Sequence, residues 1–368
     1  MFRIWVKHAA VDNSYRHWGL ILIATHLLVL SAQISVGERL RLVWPTPNRA
    51  FLESNPVASY VQPSESGTLA SGLYGCFRNS GSRFHEGIDL KPVLKDGRGE
   101  GLDPIFVVMD GKVVHVNDIP GNSRYGRYIV VEHTNLNPAV YTLYAHLSEV
   151  SPVVEIGMTL ESGTVIGRMG HSSGGYTIPS QRAHLHFEMG LMLSGKFQKW
   201  YDLQAFEEQN HHGPWNGLNL VGFDPLEFFV NFKNGVVRQP FDHIVRLPTA
   251  FTVKINTSVV PDFIQRYPAL ATRPFQDGTL TGWEVEFSGF GIPKLWRPVS
   301  AEAPPIGEKG KSFELVNVKK EFLKGSLCRE VILQRKNEYI LGNGAIRLIE
   351  ILFASELSHA KILTLNGV

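Results

Sequence analysis

His184-Leu185-His186-Phe187-Glu188, inside the longer run Arg182 to Met189, is the stretch around which the rest of the chain is arranged. Its apolar and β-favouring residues make it a strand, and a strand sends alternate side chains to opposite faces. His184, His186 and Glu188 then share one face, with Leu185 and Phe187 on the other. Two imidazoles two residues apart on a rigid strand can converge on one small object. Neutral imidazole is the commonest protein ligand for a divalent metal. A pair of surface histidines on a half-buried strand has the same pattern, so this stretch alone does not decide.

Phe84 to Leu90 tips the balance, because it offers His85 and Asp89 four residues apart. Gly87 between them and Pro92 just after argue against a helix. In an extended segment the period of two places His85 and Asp89 on one face, opposite Ile88 and Leu90. Two histidines and one carboxylate make a recurrent catalytic zinc set, with a fourth position left for water.

Three ordered motifs now stand in the chain: His85-x3-Asp89, Tyr144-Ala-His-Leu-Ser148 and His184-Leu-His-Phe-Glu188. Together they resemble the LytM/lysostaphin-type zinc metallopeptidases, family M23. Gly126 to His133, Gly157 to Gly167 and Phe223 to Phe229 match that family's supporting stretches, and the resemblance covers residues 66–232. It implies an antiparallel β-sheet peptidase domain with one Zn²⁺ per chain, bound by His85, Asp89 and His186. It also implies that His146 and His184 sit beside the metal as catalytic residues that do not bind it. In that chemistry the metal polarises the scissile carbonyl and activates a water. One imidazole takes and returns a proton while the other donates to the oxyanion. The sequence leaves open which histidine does which.

Other histidines carry less. His115 and His133 lie in strand-like runs and read as structural or exposed, whereas His171 is in a Gly-rich loop near the implied cleft. His211 and His212 fall in a polar loop, and Glu188 reads either as a carboxylate that orients a histidine from behind or as a solvated strand end. Ala183 stands where the family usually has proline. Insertions at about Ser172–Arg182 and Leu191–Leu220 flank the cleft, and such loops usually set specificity.

The chain has 368 residues, 43% hydrophobic and 19% charged, enough for two domains or one enlarged one. Residues 1–35 carry Arg3, Lys7 and Arg16 before the apolar run Trp18 to Leu30, which reads as a signal peptide or signal anchor. Of 36 basic and 34 acidic residues, its removal takes three and one, so the remainder is balanced and lacks a global field for nucleic acid. The membrane is then reached only through the N-terminal segment, if it stays uncleaved. Cys76 and Cys328 can pair in an oxidising compartment, although two free thiols are equally allowed and Cys76 lies near His85.

Residues 36–65, broken by prolines, read as a leader. Short strands then follow at Ile105–Met109, Lys112–Val116, Tyr128–Glu132, Val140–Ala145, Thr164–Arg168 and His184–Met189, with Asp110-Gly111 as a hairpin signal. Residues 240–368 hold further strand-like runs, among them His243–Leu247, Phe251–Asn256, Trp283–Phe287, Glu314–Val318, Glu330–Gln334 and Lys361–Leu365. Pro-rich stretches at Pro293–Pro298 and Pro304–Pro305 separate them, and Ala345–Leu357 fits a helix or two strands. The fold class is mainly β: a LytM-like domain followed by a second, β-rich domain of unknown role.

The expected function is that of an exported zinc endopeptidase, in the periplasm or cell envelope, cutting stem or cross-link peptides of peptidoglycan. The substrate class comes from the resemblance alone. A different class of function is a non-hydrolytic regulator or binding module acting on another wall hydrolase. A third is an unrelated metal-binding β protein, in which His184 would bind metal as well as His186.

Overall fold

The computed structural model describes residues 40–275, 279–300 and 313–354. The expected signal segment 1–35, the run Lys361–Leu365 and Pro304–Pro305 lie outside the described residues. Seventeen strands carry the described chain. They begin with β1 (Gly75–Arg78), β2 (Arg83–His85), β3 (Ile88–Leu90), β4 (Pro104–Phe106), β5 (Gly111–Asn117) and β6 (Arg127–His133). Next come β7 (Val140–Val150), β8 (Thr159–Leu160), β9 (Val165–Met169), β10 (Leu185–Met192) and β11 (Leu220–Phe223). The later part holds β12 (Phe251–Ile255), β13 (Leu280–Phe287), β14 (Pro293–Ser300), β15 (Phe313–Val318), β16 (Ile332–Arg335) and β17 (Glu338–Leu341).

Nine of these form one antiparallel sheet, in the order β11-β10-β7-β6-β5-β8, with β3 also on β10 and β9 joining β4 to β7. β10 is the axis of this sheet. It is flanked by β7 on one edge, and by β3 and then β11 end to end on the other. Every residue of β10 is buried, and the alternation expected for it holds: Leu185 and Phe187 enter the apolar core, while His186 and Glu188 meet polar partners. The fold is mainly β, as its strand patterning implied.

Two local readings change. Asp110-Gly111 does not close a hairpin, because β4 pairs with β9 while β5 pairs with β6 and β8. The dipeptide serves packing instead. A Cβ on Gly111 would lie 2.7 Å from His133 Nδ1, and the Asp110 carbonyl accepts from that nitrogen. Nor are His85 and Asp89 on one extended segment. The chain turns at Glu86-Gly87 between β2 and β3, where a Cβ on Gly87 would sit 2.1 Å from the Phe187 carbonyl oxygen. Only glycine lets the corner pass this close to β10.

The stretch expected to be a leader joins the body of the fold. Val43 donates to the Val108 carbonyl, Gln62 to that of Asp89, and Lys91 to that of Tyr60. Trp44 and Phe51 stack on each other and pack edge-on against Phe229 of helix α2 (Pro225–Lys233), with Tyr60 edge-on to both. Asp224 caps that helix by accepting from the Leu226 and Glu227 amides, with Pro225 at its first position. Helix α1 (Phe197–Leu203) lies in the second insertion.

Beyond Lys233 a second sheet has the order β14-β13-β12-β15. His243–Leu247, expected as a strand, belongs largely to helix α3 (Pro240–Arg246), started by Pro240 and buried through His243 and Ile244. Conversely, the proline-rich run Pro293–Pro298 is strand β14. It survives as a strand because it is an edge, where a missing N–H breaks no ladder. Helix α4 (Asp262–Arg266) precedes the second sheet's β13, and the ambiguous run after Ala345 is mostly helix α5 (Asn343–Leu352). Cys76 and Cys328 are joined by a disulfide that ties β1 to a turn 252 residues away. Neither thiol is a ligand candidate.

Candidate active site

The register of β10 assembles the site. His186 pairs across the ladder with Asp89 of β3 on one side and with Ala145 of β7 on the other. His85 reaches the same point from the end of β2, whose neighbour β1 pairs with it through Gly75. His85 Nε2, Asp89 Oδ1 and His186 Nδ1 form a triangle with all three sides 3.0 Å. All three residues are buried, and they are the one group of three metal-capable side chains found among the described residues. A tetrahedral zinc at ~2.1 Å from its ligands holds them ~3.4 Å apart. The three atoms therefore fit such an ion with little adjustment.

The outer atoms fix how each ligand would face. His85 Nδ1 donates to the Leu73 carbonyl at 2.8 Å, which leaves Nε2 with its lone pair. His186 Nε2 donates to Glu188 Oε1 at 2.9 Å, which orients Nδ1 toward the triangle. Glu188 is itself only 1% exposed and accepts from the hydroxyls of Tyr125 (2.7 Å) and Tyr141 (3.0 Å). Glu188 is thus a buried carboxylate that orients His186 from behind, not a solvated strand end.

Charge points the same way. Burial opposes ionisation of Asp89, yet His85, His184 and Arg78 hold its carboxyl well below the usual range. Glu188 is likewise held low against its burial, first by its bond to His186. Without an ion, burial disfavours a charged His186, but its bonds to Asp89 and Glu188 prevail and raise it to about 9. Two buried carboxylates flanking one imidazole demand a positive charge, and a divalent cation supplies it.

His146 and His184 stand at the rim. Their rings are 4.8 Å apart, and His184 Nε2 lies 3.7 Å from Asp89 Oδ1. His146 Nδ1 donates to the Ser172 carbonyl and His184 Nδ1 to that of Arg182, both at 2.8 Å. Each therefore keeps Nε2 as a lone pair. Burial first, and then neighbouring imidazoles, push His146 well below the ordinary histidine range; burial also lowers His184. Both are neutral at pH 7. His146 has φ +61° inside β7, where the pairing to β6 shifts register. Such a backbone costs about 1–3 kcal/mol. The surrounding sheet holds it, and it turns the ring out of the ladder.

Most of the other sequence candidates are tied into the fold by bonds of their own, and among them His212 also lines the cleft. His133 is buried structure, bonded to Asp110 and Thr142. His171 is bound to Glu100 and to the Ile178 carbonyl, and His212 to the Asn122 carbonyl beside His115. Ala183, in place of the family's proline, donates its N–H to Ser180 and closes a turn that proline could not. Sequence reasoning missed Tyr125, Tyr141 and Arg78, whose guanidinium bonds Asp89 Oδ2. Tyr125 and Tyr141 come from a distant loop and strand, while Arg78 lies on β1, eleven residues before Asp89, and only the fold turns it onto that carboxylate.

A cavity of ≈ 730 Å³ opens on His146, His186 and Glu188. A second, of ≈ 620 Å³, reaches Asp89, His146 and His184. Arg78, Arg83 and Tyr176 border both, so the two adjoin across the cluster.

An antiparallel β scaffold here presents a buried His/Asp/His donor set, a candidate metal site, under a cleft. Residues 83–196 match the model of peptidase family M23, and the chain carries an M23 peptidase domain there. Similar solved structures include a zinc-containing peptidase from Vibrio cholerae, at 26% identity and TM-score 0.28, covering 41% of this chain and 37% of that one. The catalytic domain of the antimicrobial peptidase lysostaphin from Staphylococcus simulans has 21% identity and TM-score 0.26, covering 43% and 87%. A putative glycyl-glycine endopeptidase LytM from Ruminococcus gnavus has 20% identity and TM-score 0.25, covering 50% and 67%. This chain thus spans little more than a third of the Vibrio protein's length. No curated protein matches the chain.

Proposed function

We propose that the protein is a zinc-dependent endopeptidase acting on peptide stems or cross-links of peptidoglycan. The observation that carries this is the 3.0 Å triangle of His85 Nε2, Asp89 Oδ1 and His186 Nδ1 within an M23 domain, with two neutral imidazoles at its rim. His85, Asp89 and His186 would hold one zinc. A bound zinc supplies Lewis-acid polarisation of the scissile carbonyl and acidifies a water.

The chain's own groups do the rest. Glu188, braced by Tyr125 and Tyr141, keeps His186 in the tautomer that presents Nδ1. His146 and His184 offer paired Nε2 atoms, one able to take a proton from water and pass it to the leaving amine. The other would donate to the developing oxyanion only as an imidazolium, keeping Nδ1–H on its carbonyl and taking up a second proton at Nε2. Tyr176 and the insertion around α1 border the cleft and limit which peptides enter.

The disulfide supports an exported protein in the periplasm or cell envelope, since such bonds persist in oxidising compartments. No helix among the described residues is long and apolar enough to cross a membrane. The test is release of peptide fragments from purified peptidoglycan by the zinc-loaded protein, with a chelated control. Zinc bound at one per chain with no fragment released from any wall preparation would favour the non-hydrolytic regulator.

A further inference from the structure

Arg329 is the unusual charge in the cleft. It belongs to no motif and comes from the far end of the sequence, in the turn Leu327–Arg329 beside the disulfide partner Cys328. The bond to Cys76 draws this turn against β1 and β2, next to the site. There the guanidinium lies 4.6 Å over the ring of Phe84, the residue before His85. Its Nε donates to the Phe290 carbonyl at 3.3 Å.

The platform beneath is rigid. Tyr74, Phe84 and Phe290 pack ring against ring at 4.9–5.4 Å, and the Tyr74 hydroxyl donates to the Gly222 carbonyl. Stacking and the Nε bond fix the plane of the fork.

Among the described residues, what remains of the side chain has no hydrogen-bond or ion-pair partner. No carboxylate among the described residues forms an ion pair with Arg329, although Glu86 lines the same cavity. Arg329 is half-buried, and burial acts against its charge. Its side chain borders the cavity that also opens on His186 and Glu188. A fixed guanidinium with both Nη groups unpaired matches a carboxylate, which it binds through two parallel hydrogen bonds. Arg83, Arg124 and Arg347 line the same space, but they are exposed and unanchored.

We propose that Arg329 is a specificity residue that reads a free carboxylate on the peptide in the cleft, so that the protein selects acidic over carboxylate-blocked peptides. This rests on the peptide-binding reading of the cleft and names which peptides it takes. The disulfide is then part of the specificity apparatus, since it delivers Arg329 to the cavity.

The experiment uses the full chain loaded with zinc. The probes are soluble cross-linked muropeptides, either with free carboxylates or with those carboxylates converted to methylamides. Calorimetric Kd values are measured for both probes, and cleavage is followed separately. For the wild type, blocking should weaken binding roughly 10- to 100-fold, the range for losing a charge-assisted bidentate contact. Arg329→Gln should bind the free form about as weakly as the wild type binds the blocked one. Arg329→Lys keeps the charge without the fork and should recover part of the preference. Zinc content and unfolding midpoint confirm that each variant is folded. Equal wild-type affinity for both probes overturns the proposal, as does absence of binding to either. Full discrimination retained in Arg329→Gln also overturns it, because the carboxylate is then read by another arginine. Discrimination without any cleavage sinks the peptidase reading and leaves this one standing.

Discussion

Replacing Glu188 by glutamine tests how far the metal site depends on what lies behind it. Glu188 Oε1 accepts from His186 Nε2 and from the Tyr125 hydroxyl, while Oε2 accepts from Tyr141. Glutamine keeps the shape and one acceptor oxygen. Its amide nitrogen then faces the Tyr141 hydroxyl, whose proton loses its acceptor in a buried place. Losing a charge-assisted bond costs about 1.5–3 kcal/mol. Outer partners of metal-binding histidines are worth roughly 10- to 100-fold in metal affinity, or about 1.4–2.8 kcal/mol, so the two estimates agree. The zinc Kd of Glu188→Gln, from competition with a chelator of known affinity at pH 7, should therefore rise roughly 10- to 100-fold. Thermal unfolding of the metal-free protein controls for a general loss of structure. A Kd within about twofold of wild type would refute the reasoning, because His186 would then be oriented without Glu188.

Three further outcomes are expected. Burial pushes His133 down to about 4, so between pH 6.5 and 4 the unfolded chain binds a proton that the folded chain refuses. Stability should fall on acidification across that window, by about 3 kcal/mol from this residue; urea unfolding of wild type and His133→Gln reads it, and identical pH slopes would contradict it. Replacing Cys76 and Cys328 together by serine removes a cross-link spanning 252 residues, worth about 5 kcal/mol on the chain-entropy account; an unchanged denaturation midpoint would count against that. Gly87→Ala forces a methyl against the Phe187 carbonyl and should destabilise by about 3 kcal/mol while loosening zinc, and a fully stable variant would mean the corner is not held as described.

How much of this was legible beforehand depends on the range of the interaction. Alternation along His184 to Glu188 placed His186 and Glu188 correctly, because side-chain direction in a strand is a local property. The three motifs named the residues of the triangle, although His85 and Asp89 meet across a corner that periodicity treated as straight. The proline-rich strand β14 was hidden because proline forbids central strands and tolerates edges, and edge position is a tertiary fact. His243 misled for the converse reason: a short apolar run fits either period, and Pro240 three places upstream decided for helix. Tyr125, Tyr141 and Arg329 carry no local signal at all. Each acquires its role from a partner far along the chain, and for Arg329 that partner is reached through a disulfide the sequence left open.

The most direct measurement is zinc stoichiometry together with peptidoglycan-fragment release for wild type, His186→Ala and His184→Ala. The account predicts one zinc and cleavage for wild type, loss of both for His186→Ala, and zinc without cleavage for His184→Ala. Zinc lost from His184→Ala, or cleavage surviving in His186→Ala, would contradict the division between metal-holding and proton-moving histidines on which the account rests.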